Sequence, residues 1–453
     1  MSKAVQTILV ITALFTFTAC LSYEEKSRDL DKETTVYIGA VHSYTGVFAT
    51  QAVEVEHAED LAVAHINNAG GIIGKKVALI KMDTGAQPDI CAQYARDLTQ
   101  DEGINYIFGA IESACTNAIL DVTVPAGVLT VTGNPFASVL STGRDNRKAV
   151  ILSPTVSAPD EETDVDTAET DTPDSDNGTV LQNMFYRTSP NNGKLMQSLA
   201  SKILLDGNKS LTIIAGDNML NSSSADDMQR YFSALDCGGT RCKVNLRYNY
   251  SADMNPETYD FSTDIQGILT ANSDAIFFSG YPDDGVGFLR AAVDAGFTGS
   301  PYISAEMGHA SIGGFIEPLT AAAVEWVDVP PSSGASYEYF QQQYEGTYGI
   351  PLTENRLSEQ TYDMLIILAL AIHKAGPNGT SADAAAAVWQ VANPPGELVF
   401  ADEFAKAKQL IDEGKDIDYM GASGSCDFNS VGDVPVNEIF MGYDNKGKSV
   451  EKY

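Results

Sequence analysis

The sequence predicts an α/β protein of two lobes, each a mainly parallel sheet flanked by helices. Three observations lead there. Apolar β-type runs alternate with helix-period patterns along most of the chain. The alternation stops at an acidic stretch and restarts beyond it. The 453 residues, 44% hydrophobic and 20% charged, are more than one core usually organises. Strand–helix–strand repetition implies parallel strands covered on both faces.

The first twenty residues stand apart. Lys3 precedes an apolar run from Ala4 to Phe17, and the segment closes on Phe17, Thr18, Ala19 and Cys20. A charged start, a short apolar stretch and small residues before a cut site describe a secretory signal over 1–19. The run is shorter than the ~20 apolar residues a membrane span needs. Small residues followed by Cys resemble the lipobox of bacterial lipoproteins, in which the Cys thiol is acylated; Phe17 stands where that pattern prefers Leu. Cys20 is therefore the expected lipidation site. Residues 20–34, polar and without periodicity, read as a tether.

TVYIGAV (Thr35–Val41) reads as a buried strand, followed by the polar loop His42–Ala52. Val53, Ala58, Leu61, Ala62, His65 and Ile66 then recur at helical spacing, and Gly70 with Gly71 ends that helix. VALIKM (Val77–Met82), INYIFGA (Ile104–Ala110) and GVLTVT (Gly127–Thr132) continue as strands, with a helix opening at Pro88. From Asp160 to Asp176 nine residues are Asp or Glu and none is Lys or Arg. This acidic insert, about 156–180, reads as a solvated loop, and it lacks the spaced acids and closing Glu of a calcium loop. Strands resume at Ser210–Asp217, Lys243–Tyr250, Asp274–Tyr281 and Pro301–Glu306. Helical stretches lie at Lys194–Leu205, Ser224–Leu235, Phe261–Ala271 and Val286–Ala295. After Pro330 the pattern is mainly helical, ending in a strand pair near Glu438–Tyr443. Two such sheets place their strand C-terminal ends around a crevice, where ligands bind in open α/β folds.

A net charge of −33 argues against nucleic acid and anionic lipid as partners, since both need clustered Lys and Arg. Acidity this broad fits solubility or a salty habitat and does not by itself point to a cationic ligand. No GxSxG, HExxH, GxxxxGK[ST] or strand-following GxGxxG is present. His42, His57, His65, His309 and His373 are scattered. The expectation is a binding protein without catalytic residues, cofactor or metal.

YIGAVHSYTGVFA, INNAGGIIGKKV, GINYIFGAIES, FFSGY…FLRAAVDAGF and DYMGASGSCDFNSVGD, in that order, resemble the type I periplasmic solute-binding proteins, and most of all the branched-chain amino-acid (Leu/Ile/Val) binders of ABC importers. The likeness runs from about Thr35 to the C-terminus, interrupted by the acidic insert. It implies the type I fold with three hinge crossings, near Arg187, Val329 and Asp433. Lobe 1 is then 35–187 plus 330–433, and lobe 2 is 188–329 plus 434–453.

The resemblance also implies a ligand set. Ser113, at a strand-to-helix turn with Ala114 next to it, matches the family's carboxylate-binding Ser, and a helix N-terminus suits an anion; N-capping explains a Ser there equally well. Glu306 matches the acid that pairs with the ligand ammonium, and Tyr281 the aromatic that packs on the ligand. Their plain readings are a helix-capping or surface acid and a core aromatic. Asn134 and Phe136 stand where relatives carry a small residue and a Thr, and Asn221 falls near where a second ligand-facing aromatic is common. Tyr44 and Thr45 are secondary candidates. The departures at Asn134, Phe136 and Asn221 leave the compound open within amino acids and similar small amines or amides.

Relatives often carry a disulfide joining the loop after the second strand to the turn after the third. Cys91 and Cys115 lie about one helical turn beyond those places, shifted the same way, so the resemblance implies that they pair. Cys237 and Cys242 enclose GGTR, whose glycines allow a tight local bridge, and no further zinc ligands accompany them. Cys426 is left over. The resulting expectation is a monomeric, lipid-anchored extracytoplasmic protein that passes a small solute to an ABC permease. The alternative is the same trap reporting its ligand to a signalling partner.

Overall fold

TVYIGAVH forms β1 (Thr35–His42), buried from Ile38 onward, because an apolar run with no polar alternate suits a strand covered on both faces. It heads a computed structural model that describes residues 28–141, 148–151, 180–252, 259–308, 313, 324–353, 356–444 and 447–452. The signal segment, Cys20, the acidic insert apart from its last residue, and His309 lie outside the described residues.

β1 lies between β2 (Lys76–Asp83) and β3 (Tyr106–Phe108), followed by β4 (Leu129–Thr132). A hairpin of β5 (Lys148–Ile151) and β6 (Val180–Asn183) intervenes before β7 (Phe185–Arg187) completes a parallel sheet of order β2-β1-β3-β4-β7. The second sheet is built on β8 (Ser210–Gly216), β9 (Lys243–Tyr250), β10 (Ala275–Ser279), β11 (Ser300–Ile303) and β12 (Glu325–Asp328). A small third sheet joins β13 (Glu397–Phe400), β14 (Ile417–Gly421) and β15 (Gly424–Ser425). The chain then returns to the second sheet, where β16 (Ile439–Tyr443) and β17 (Ser449–Glu451) close one edge antiparallel, giving β17-β16-β12-β11-β10-β8-β9.

Helices α1 (Ala49–Asn68), α2 (Pro88–Arg96) and α3 (Ser113–Thr123) connect strands of the first sheet. α4 (Asn192–Leu205), α5 (Met219–Ala234), α6 (Ile265–Leu269) and α7 (Pro282–Asp294) serve the second. The segment after Pro330 carries α8 (Ala335–Tyr348), α9 (Leu357–Ala375), α10 (Ser381–Ala392) and α11 (Phe404–Asp412). α9 is buried from Leu357 to Ile372, and its apolar sequence packs into the core of the first sheet against α1 and α10.

Cys91–Cys115 and Cys237–Cys242 are disulfides, and Cys426 is free and buried. Among the described residues no helix is long and apolar enough to cross a membrane.

Candidate functional site

The turns that leave the C-terminal ends of the strands carry the candidate residues. Ser113 opens α3, after Glu112 in extended conformation, so the first N–H groups of that helix have no intrahelical acceptor. The Ser113 hydroxyl oxygen accepts the Ala137 N–H at 3.3 Å and keeps its own proton for donation. Ala114 follows, half-buried in the first turn. Beyond β4, the Phe136 carbonyl accepts the Asn192 N–H at 3.0 Å, at the start of α4. The Asn192 side-chain amide in turn donates to Glu306 Oε1 at 3.3 Å and to Ser224 Oγ at 2.5 Å. Three short links thus join Ser113, the Phe136 turn and Glu306.

Tyr281 is the N-cap of α7, with Pro282 at the first helical position and Asp283 and Asp284 in the first turn, a sequence suited to starting a helix. Gly280 precedes it because a Cβ there would stand 2.2 Å from the Tyr250 hydroxyl. Burial pushes the Tyr281 hydroxyl up to about 12, and the negative charges of Glu306, Glu112 and Asp284 push the same way. Tyr281 therefore stands within electrostatic reach of acids from both sheets.

Glu306 lies in a single 3-10 turn after β11. Its Oε2 is buried and makes no hydrogen bond, and burial raises its pKa; the nearby Ser304 hydroxyl opposes the rise without completing a bond. Glu112 likewise has one oxygen on the Ser43 hydroxyl at 2.5 Å and a buried Oε2 with no partner. Asn221, buried in the first turn of α5, accepts from Ser279 through Oδ1 and leaves Nδ2 unpaired.

The remaining candidates have their polar groups engaged elsewhere. Asn134 donates to Thr361 of α9 at 3.1 Å. The Tyr44 hydroxyl donates to Glu59, and Thr45 bonds Asp83 through both its N–H and its hydroxyl. Phe136 is half-buried and contributes its backbone carbonyl. Glu112, Asn192 and Ser304 were not picked out by sequence reasoning. The acid in the turn GAIES, next to Ser113, was the signal available for Glu112.

Among the described residues, one group has metal-ligand spacing: Cys91, Glu112 and Cys115, with ligand atoms within 4.8 Å of one another. Both sulfurs are consumed by the disulfide, so the group offers a metal no thiolate. A surface cavity lined by Lys32, Thr35, Lys75 and Tyr106 lies where β1 and β2 begin and includes none of the candidates.

Residues 35–409 match the family described as periplasmic binding protein. The chain belongs to that family. Its fold is the type I form: a leucine-binding protein from Thermotoga maritima superposes with a TM-score of 0.64 at 18% identity, over 92% of this chain and 98% of that one. A substrate-binding protein of a chemotactic signal transduction system in Halobacterium salinarum is 24% identical over 410 residues, 87% of this chain and 84% of the relative. A Leu/Ile/Val-binding protein homologue from Brucella melitensis is 26% identical over 262 residues, 58% of each chain. These relatives are binding proteins rather than enzymes, and membership implies a solute-binding role outside the cytoplasm.

Proposed function

We propose that the chain captures an amine-bearing small solute, an amino acid or a compound like it, between two lobes: 35–187 with 330–433, and 188–329 with 434–453. The observation that carries this reading is Glu306. One of its carboxylate oxygens accepts from Asn192, while the other is buried without a completed hydrogen bond, and a desolvated carboxylate calls for a cationic partner. Tyr281 packs beside that cation. Ser113, Ala114 and the N-terminus of α3 receive an anionic end of the solute if it has one. Closure of the lobes on the solute is what a partner reads.

The partner is an ABC permease on the first reading, supported by likeness to Leu/Ile/Val binders. A chemotactic receptor is the second, favoured by the Halobacterium relative that spans most of the chain. A lipid on Cys20 would keep either form at the membrane. A thermal-shift screen of amino acids, amides, polyamines and organic acids, followed by calorimetry on the best hit, tests the capture. Glu306→Gln is expected to weaken that hit by about 3 kcal/mol, roughly a hundredfold. An unchanged affinity sinks the ammonium role. Deleting the gene and measuring uptake and swimming bias toward the same compound separates the two partners.

A further inference from the structure

Glu112 takes no part in the capture just described, and its surroundings set it apart. It is 8% exposed, sits at the N-terminus of α3, and lies against the Cys91–Cys115 disulfide. Burial raises its pKa, and the Ser43 hydroxyl and its own backbone oppose the rise; no Lys or Arg contributes. Glu306 is in the same position, with burial and Asp328 raising its pKa and no basic side chain countering them. Both carboxylates act on the one Tyr281 hydroxyl.

Among the buried atoms without a hydrogen bond, Glu112 Oε2, Glu306 Oε2 and Asn192 Oδ1 are acceptors. The Asn192 amide cannot be turned to change this. Its nitrogen faces the Glu306 carboxylate, which only accepts, so Oδ1 points away as a further acceptor. Asn192 is 1% exposed, so this acceptor has no access to bulk water. A solute with one ammonium answers Glu306 and leaves Glu112 desolvated and unpaired, which is costly.

We propose, resting on the capture reading above, that the solute carries two separated cationic nitrogens, one held by Glu306 and Asn192 and the other by Glu112. The class is a diamine or a basic amino acid rather than a branched-chain one. Compounds differing by a single amine test this in the full chain by calorimetry: lysine against norleucine, and cadaverine against pentylamine. At least one dicationic member is expected to bind about tenfold or more tighter than its partner, the scale of one charge-assisted contact. Glu112→Gln, checked for folding by its melting transition, is expected to bring that ratio to about one. Lysine exceeding cadaverine identifies an amino acid, and the reverse a diamine; either agrees with the proposal. Norleucine and pentylamine binding as tightly as their dicationic partners overturns it while leaving amine capture standing. That comparison needs no variant, so it decides even if Glu112→Gln fails to fold. A ratio unchanged in a folded Glu112→Gln overturns it too. No binding of any of the four amines, with a carboxylate or amide as the screen's best hit, removes the capture reading and this one together.

Discussion

Arg187 and Asp433, 246 residues apart in sequence, meet in a parallel β-bridge and a buried ion pair with Nε 2.6 Å from Oδ1. The guanidinium also donates to the Pro135 and Ala137 carbonyls, and the Asp433 carboxylate also accepts from Ser141 and Asn191. Two of the three proposed crossings are thereby tied to the turn that carries Phe136, so the proposed hinge and the proposed solute-facing turn share one polar network.

Breaking that pair strands a charge. Asp433→Asn leaves the Arg187 guanidinium buried and uncompensated, and is expected to cost about 3–5 kcal/mol of stability. Arg187→Met costs a similar amount, and the double variant with Asp433→Asn costs less than the sum of the two singles. Urea unfolding of the four proteins measures the coupling. Additive losses would mean that the pair is not one unit.

A second contact joins the turn after β4 to α5. The Ser138 hydroxyl, in the turn after β4, donates to Asp227 of α5 and lies 3.0 Å from the Ser223 hydroxyl. If the lobes part to release solute, these bonds break, so they favour the closed form. Ser138→Ala is expected to remove about 1 kcal/mol of that preference, weakening solute binding roughly fivefold, mainly through faster release. Stopped-flow dissociation of the best ligand checks it, and an unchanged release rate shows that the contact does not gate closure.

The sheets were legible because strand and helix periods are local properties, visible in runs such as DAIFFSGY and VALIKM. Ser113, Tyr281 and Glu306 were placed at strand ends for the same reason. The side chains' partners were not legible, since docking between distant segments decides them. Asn134 turns to Thr361 only because α9 packs beside β4, 227 residues further along. Thr45 is claimed by Asp83 across parallel strands, and no local signal tells an engaged Thr from a ligand-facing one. In GAIES the local pattern marks the helix-starting Ser, and nothing in it distinguishes a buried Glu112 from a solvated one. The unpaired Glu112 oxygen exists only once Ser43 and the disulfide surround it.

The two disulfides close loops of different length, which separates their contributions. Cys91–Cys115 spans 24 residues between α2 and α3, and Cys237–Cys242 spans 5. Loop-closure entropy then assigns about 3 kcal/mol to the first and about 2 kcal/mol to the second. Paired Cys→Ala variants, melted under oxidising conditions, are expected to fall in that order. The order reverses only if the short Asp236–Arg241 bridge region does more to hold the second sheet than its loop length indicates.

Glu59 carries the clearest pH signature. It is fully buried in α1, with Lys81 Nζ 3.3 Å from one oxygen, His42 Nε2 3.3 Å from the other, and the Tyr44 hydroxyl donating to both. Burial pushes its carboxyl up to about 8 from an ordinary 4.5, with Lys81 and Tyr44 opposing. Between those values the unfolded chain has released the proton while the folded chain keeps it. The Glu59 contribution therefore favours folding in full below pH 4.5 and is lost as pH rises toward 8. His42, held down to about 3 mainly by burial, acts in the opposite direction but is common to both proteins in a comparison. Glu59→Gln removes the titration. Its melting temperature relative to the unmodified chain is thus expected to climb steadily from pH 4.5 to pH 8 at fixed ionic strength. A difference that stays flat across this window would show that Lys81 holds Glu59 ionised throughout.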